Sequence, residues 1–258
     1  MAHRILRAWR VVGTGLSFSV FGIAGLLLSL VVFPVTRLVV RDPVERELRN
    51  QYFVHLTFRL FVGLMQALGV VVVDVLHGER LAQRGQIVVA NHPTLIDIVV
   101  LGSLMPQADC VVKKEAWSNP FLRGAVTATG YLPNDTGDAL VEACAERLRA
   151  GRTLVLFPEG TRSPEGGIGP FRRGFAHVAL ASQRPLRTVV IRADPPALMR
   201  GQPWYDVPER RLRLSLDCGA VLDPAQVAPD APTRGAAVRK ISSALRDFYA
   251  KTLQTQRP

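Results

Sequence analysis

From Val11 to Thr36 the chain runs 26 positions without a charged side chain, densest in FSVFGIAGLLLSLVVF (18–33). A helix of ~23 residues spans roughly 35 Å, enough for a bilayer core. Arg4, Arg7 and Arg10 flank one end and Arg37 and Arg41 the other, with Trp9 suited to an interface. The pattern predicts membrane attachment. A cleaved signal peptide would have a shorter apolar region and an A-x-A-like site, which this segment lacks. Both flanks are basic, so charge asymmetry sets no orientation, and Gly13, Gly15, Gly22, Gly25 and Pro34 permit a bend. Spanning and re-entrant forms both fit. A second segment, Gln51 to Leu68, repeats Phe53, Leu56, Leu60, Phe61, Leu64 and Leu68 at helical spacing, with His55, Arg59 and Gln66 on another face. This amphipathic helix would either lie in the membrane interface or pack on the domain behind it. Arg41 to Glu47 reads as a charged turn between the two.

From Val70 the period changes. Short β-branched runs predict strands at 71–76, 86–90, 110–113, 153–157, 188–192 and 212–216. Helical patterns fall at 95–105, 119–129, 136–150, 172–183 and 232–253, the last after a Pro-rich loop at 227–233. The alternation predicts an α/β fold, a mixed or largely parallel sheet flanked by helices and preceded by a membrane-associated helical pair. The division expected is residues 1–69 for the anchoring helices and 70–258 for the α/β domain.

Composition narrows the function classes. A net charge of +11 (32 basic, 21 acidic) favours anionic partners: nucleic acid, acidic lipid headgroups, or a phosphorylated or acidic carrier substrate. No helix-turn-helix, zinc or aromatic RNA-binding motif accompanies the charge, so no nucleic acid is expected. Cys110, Cys144 and Cys218 are far apart and odd in number, which suits free thiols in a reducing compartment.

The chemistry concentrates in two stretches. QIVVA (86–90) is a strand running into Asn91 and His92, and Pro93 keeps His92 out of helical geometry, at a strand end where α/β folds bind ligands. Thr94-Leu-Ile-Asp97 fits a capping box, with Thr94 as N-cap and Asp97 at N3, which by itself explains both residues but not His92. Alternatively, His92 is a general base: an imidazole titrates near ~6.5, and a carboxylate on its opposite nitrogen fixes the tautomer. A metal site is the weaker reading, since two ligands lack a third. The second stretch, FPEGTRS (157–163), also follows a strand; Arg162 offers a fork for phosphate and Gly160 allows close backbone approach. The loop GGIGPFRRG (166–174) lacks the lysine of a P-loop.

NHPTLID (91–97) followed about 60 residues later by FPEGTRS resembles the two main motifs of the lysophospholipid acyltransferase family, typified by 1-acylglycerol-3-phosphate acyltransferases. VKKEAWSNPFLRG (112–124) and PFRRG (170–174) resemble its intermediate and basic motifs. The resemblance covers roughly Val70 to Asp194, and the hydrophobic front is similar to the family's membrane helices. It implies that His92 deprotonates an acceptor hydroxyl, that Asp97 orients His92, and that the alkoxide attacks a thioester on acyl-CoA or acyl carrier protein without an acyl-enzyme. The absence of a Gly-x-Ser-x-Gly elbow agrees. It further implies an acceptor site of Asn91, Thr94, Lys113, Arg123, Glu159, Gly160, Thr161, Arg162, Arg172 and Arg173, with Arg162 nearest the phosphate. No metal and no cofactor beyond the donor are implied. The implied partners are membrane phospholipids, a lysophospholipid and acyl carrier protein. The implied location is the cytoplasmic face of a bacterial inner membrane.

Three departures stand out. Thr94 replaces the family's serine, Asn134-Asp135-Thr136 stands where an arginine is common, and Thr188–Arg192 lacks a Val-Pro pair. They bear on the acceptor more than the chemistry: lysophosphatidate is the default, with another lysolipid or an aryl polyene chain as alternatives. From another class, the competitor is a catalytically inactive membrane lipid-binding protein, which would have no need of the His92–Asp97 pair.

Overall fold

A computed structural model of the protein describes residues 2–120, 122–134, 137–165 and 167–255. The uncharged run forms one helical rod: α1 (Ala2–Leu27), a π-helical turn (Leu28–Val32) and α2 (Phe33–Val39). Pro34 has no N–H and crowds the carbonyl one turn back, and the wider π turn ahead of it accommodates both. His3–Val39 is long and apolar enough to cross a membrane, an 18-residue stretch within it having a mean hydropathy of 2.4.

The second helix, α3 (Pro43–Ala67), begins two turns earlier than the periodicity suggests. The stretch from Arg41 to Glu47 is therefore mostly helix and not a turn. Local chemistry explains it: the Asp42 carboxylate accepts from the Glu45 amide at 2.6 Å, Pro43 occupies the first turn, and Arg49 reaches Glu45 one turn on. The apolar stripe of α3 is also split. Phe61 and Met65 are buried, but Leu56 and Leu60 face outward. The buried places beside them go to Asn50, Gln51 and His55, each satisfied across the interface. Asn50 Nδ2 donates to Ala128 O (2.8 Å), Gln51 Nε2 to Thr129 O (3.0 Å), and His55 Nδ1 meets Gly102 O (2.8 Å). One face of α3 thus packs on the body while another stays apolar and open.

The sheet contains β1 (Val71–Leu76), β2 (Ile87–Ala90), β3 (Asp109–Val112), β4 (Leu132–Pro133), β5 (Leu154–Leu156), β6 (Leu186–Asp194), β7 (Leu212–Asp217) and β8 (Val221–Leu222). Its order is β1-β7-β6-β2-β5-β3-β4, with β8 beside β6. The block β6-β2-β5-β3-β4 is parallel, while β7 is antiparallel to β6 and parallel to β1. The helices are α4 (Asp97–Leu104), α5 (Arg123–Ala128), α6 (Asp138–Arg149), α7 (Gly174–Ser182), the short α8 (Pro224–Val227) and α9 (Arg234–Gln254). The mixed, mostly parallel sheet flanked by helices is the expected fold class.

Both sheet faces are covered, which is why the strands read as continuous apolar runs. Along β2, Val88 and Ala90 join the core beneath α3 and α4, and Ile87 and Val89 join the one beneath α6, α7 and α9. From α9, Tyr249 donates its hydroxyl to Val89 O at 2.7 Å, locking that helix across β2 and β6. Because β2 and β5 are parallel neighbours, their carboxyl ends finish side by side.

Candidate active site

Asn91 follows β2 directly. Its Oδ1 accepts from Ile191 N (2.7 Å) and its Nδ2 donates to Ile191 O (2.8 Å), so the side chain extends the sheet as a backbone unit would. It is buried and both ends are used. His92 comes next, its ring stacked on Phe157 at the end of β5, with centroids 4.4 Å apart. His92 Nδ1 lies 2.8 Å from Asp97 Oδ2, and the Asp97 side chain is completely buried. With Asp97 ionised, Nδ1 carries the proton and Nε2 keeps its lone pair.

Thr94 is not the N-cap of α4. That place falls to Ile96, and Asp97 is the helix's first residue. The polarity of the contact is the reverse of a Thr cap: Asp97 accepts from the Thr94 amide (2.7 Å) and hydroxyl. A buried carboxylate needs its lone pairs filled, and Thr94, itself fully buried, fills them. Burial raises the Asp97 pKa, while the hydrogen bonds from His92 and Thr94 pull it back down.

The second motif clamps the first. Ser163 N donates to His92 O (2.7 Å), and His92 N is shared between Glu159 Oε1 and Ser163 Oγ, both at 3.2 Å. Glu159 is buried, accepting from Ser163 Oγ (2.6 Å) and from Gly169 N (2.7 Å). Gly160 has φ +64°, and a side chain there would reach within 2.9 Å of Arg172, which packs over it.

A cleft of about 800 Å³ opens at these strand ends. His92, Gly160, Thr161, Arg162, Arg172 and Lys113 line it, together with Arg200. Its depth is apolar, reaching Ile98 and Val155 on one side and Leu140, Val141, Phe175 and Val178 on the other. Cys110 and Cys144 also line the depth. Burial pushes the Cys144 thiol up to about 12 and raises that of Cys110 further, so both remain protonated and act as small apolar walls.

Of the acceptor residues named from sequence, Lys113, Gly160, Thr161, Arg162 and Arg172 meet at this cleft. Asn91, Thr94 and Glu159 stand behind it, consumed by the contacts above. Arg123 opens α5 and Arg173 precedes α7, both exposed and outside the lining. Arg162 has one nitrogen committed, Nη1 donating to Leu198 O (3.1 Å) and Met199 O (2.8 Å). Phe121, Asp135, Thr136 and Gly166, quoted in the motifs, lie outside the described residues.

Two features escape the sequence. Arg200 belongs to no motif and enters through the connection between β6 and β7. Behind the site, Asp109 at the head of β3 is buried against Arg147 (2.6 Å) and Arg152 (2.7 Å), and Arg152 also holds Glu47 of α3 (2.8 Å). These charges are scattered along the chain, and no spacing announces them.

A family model described as Acyltransferase matches residues 72–192. A 1-acyl-sn-glycerol-3-phosphate acyltransferase of Helicobacter pylori is 36% identical over 113 residues, covering 41% of this chain and 48% of that protein. A protein of the same name from Cocos nucifera is 28% identical, covering 72% of this chain and 59% of its own length. The chain therefore spans about half the length of these curated relatives. The fold is shared with the crystal structure of the 1-acyl-sn-glycerophosphate (LPA) acyltransferase PlsC from Thermotoga maritima: TM-score 0.67 at 19% identity, covering 96% of this chain and 99% of that one.

Proposed function

We propose, for a chain that belongs to the acyltransferase family, transfer of a fatty acyl group from a thioester donor to the hydroxyl of a lysophospholipid. The acceptor is 1-acylglycerol-3-phosphate and the product phosphatidate. One observation carries the reading. His92 is held through Nδ1 by the buried Asp97, and it lines a cleft that is basic at its mouth and apolar within. That is the polarity of an amphiphile with an anionic head.

In the proposed reaction, Nε2 of His92 removes the proton of the acceptor hydroxyl as the oxygen attacks the thioester carbonyl. The imidazolium is stabilised by Asp97. Collapse of the tetrahedral intermediate breaks the C–S bond, and the imidazolium returns its proton to the leaving thiolate. The imidazole ends the cycle neutral. Lys113, Arg162 and Arg172 hold the acceptor phosphate as charge-assisted donors. The donor is acyl-CoA or acyl carrier protein, both cytosolic thioesters, which fits a site at the cytoplasmic face. The helix His3–Val39, with Leu30, Leu38 and Val39 fully outward, supports membrane attachment.

The test is acyl transfer from labelled acyl-CoA or acyl carrier protein to mixed lysolipids, read by lipid mass spectrometry. His92→Ala should abolish transfer and leave membrane association intact. Retained turnover in that variant sinks the assignment, and absence of transfer by the unaltered chain favours a lipid-binding protein.

A further inference from the structure

The strap between β6 and β7, residues 195–211, joins the cleft to the first helix. At its near end, Leu198 takes a left-handed backbone (φ 56°), and its carbonyl accepts from both Leu95 N (3.0 Å) and Arg162 Nη1 (3.1 Å). One residue from each motif thus fastens a single turn. Gln202 closes it, its Oε1 accepting from Met199 N at 3.0 Å. Inside that turn Arg200 projects into the cleft, with no ion pair among the described residues. At the far end, Trp204 sits in the notch left by Gly15, where a Cβ would lie 3.2 Å from its ring, and Arg7 Nε donates to Val207 O at 3.1 Å. The turn is therefore held from both sides before any ligand arrives.

The charge at the mouth needs this residue. A phosphate monoester carries nearly two negative charges at neutral pH and three strong acceptor oxygens. Arg162 has already spent one nitrogen on the strap's carbonyls. The other cations on the cleft wall are Lys113 and Arg172, and the wall also carries one carboxylate, Glu115. The Arg200 guanidinium, exposed and without an ion pair among the described residues, rides on the turn that Arg162 itself holds and supplies further donors.

We infer that Arg200 is a second phosphate-binding arginine, and that it selects acceptors with a phosphate monoester head over uncharged monoacylglycerols. This rests on the acceptor reading above, but its test does not need turnover. The full chain in detergent micelles is titrated with lysophosphatidate or with monoacylglycerol, without donor, and followed by tryptophan fluorescence. Arg200→Ala should weaken lysophosphatidate binding about tenfold, Arg200→Lys should recover part of it, and monoacylglycerol binding should not change. With donor present, KM for lysophosphatidate should rise while kcat stays within about twofold. Binding of lysophosphatidate by Arg200→Ala as tight as by the unaltered chain overturns the inference. So does equal weakening toward both lipids, which would mean that Arg200 only shapes the strap. If the unaltered chain binds lysophosphatidate selectively through Arg200 yet transfers nothing, the inference stands and the catalytic reading fails. Competition by inorganic phosphate alone, as strong as by the lipid, overturns the lipid-acceptor form of the inference.

Discussion

Replacing Asp97 by asparagine keeps the shape of the site and removes its charge. Three hydrogen bonds end on this carboxylate: from His92 Nδ1 at 2.8 Å, from Thr94 N at 2.7 Å and from the Thr94 hydroxyl. An asparagine oxygen can still accept from Thr94 N. That oxygen, in the place of Oδ2, also accepts from His92 Nδ1, while the amide group donates to the Thr94 hydroxyl, so the imidazole keeps its tautomer. The imidazolium of the proposed transfer loses its counter-charge. Two unit charges about 4 Å apart interact by about 4 kcal/mol at an effective dielectric constant near 20. That corresponds to about a thousandfold in rate, inside the ~10²–10⁴ range of positioned acid–base groups. The assay is initial-rate acyl transfer to lysophosphatidate at saturating donor, with kcat and KM resolved separately. The expected result is a fall in kcat of about 10³ with KM little changed, in protein that remains folded. A variant keeping more than about a tenth of the parental kcat would refute the counter-charge argument and the role given to Asp97.

The same substitution has a stability signature. Burial raises the folded-state pKa of Asp97 above its unfolded value, so the protein loses stability as pH climbs through that range and Asp97 ionises. The thermal midpoint of Asp97→Asn relative to the parent should therefore increase from about pH 4 upward and level off once Asp97 is ionised; a difference that shrinks with pH contradicts the raised pKa. Tyr249→Phe removes the hydroxyl that bonds Val89 O and Val189 O, and should cost about 1–2 kcal/mol in denaturant unfolding with kcat preserved. Leu30→Asp combined with Leu38→Asp alters positions 73% and 84% exposed, so folding in detergent should be unaffected. In liposome flotation the same pair should release the protein, since each charge costs about 2.5–3.5 kcal/mol in hydrocarbon; undiminished flotation would argue against that helix as the anchor.

The sequence alone was sufficient for the features that are local. Strand and helix positions followed from period-2 and period-3.6 patterns, and the predicted strands at 71–76 and 212–216 match β1 and β7 nearly residue for residue. Pro93 placed His92 at a strand end because its ring restricts only the residue before it. Both motifs were legible for the same reason, since each is one loop after one strand. The spacing His92 to Asp97 likewise let the pair be anticipated, though not the direction of the Thr94 contact. That direction depends on how deeply Asp97 is buried, which is a property of α4 packed beneath α3. The outward turn of Leu56 and Leu60, and the burial of Asn50, Gln51 and His55 in their place, depend on partners 47 to 78 positions away. Asn91 looked like a ligand to substrate and proved to be part of the sheet, because Ile191 lies 100 positions on. Arg200 reaches the cleft from a turn whose Leu198 carbonyl both Arg162 and Leu95 grip, residues 36 and 103 positions away. Periodicity and turn chemistry act over a few residues and can be read along the chain. Which polar groups are spent on the fold and which remain for a ligand is settled by contacts that only chain closure creates.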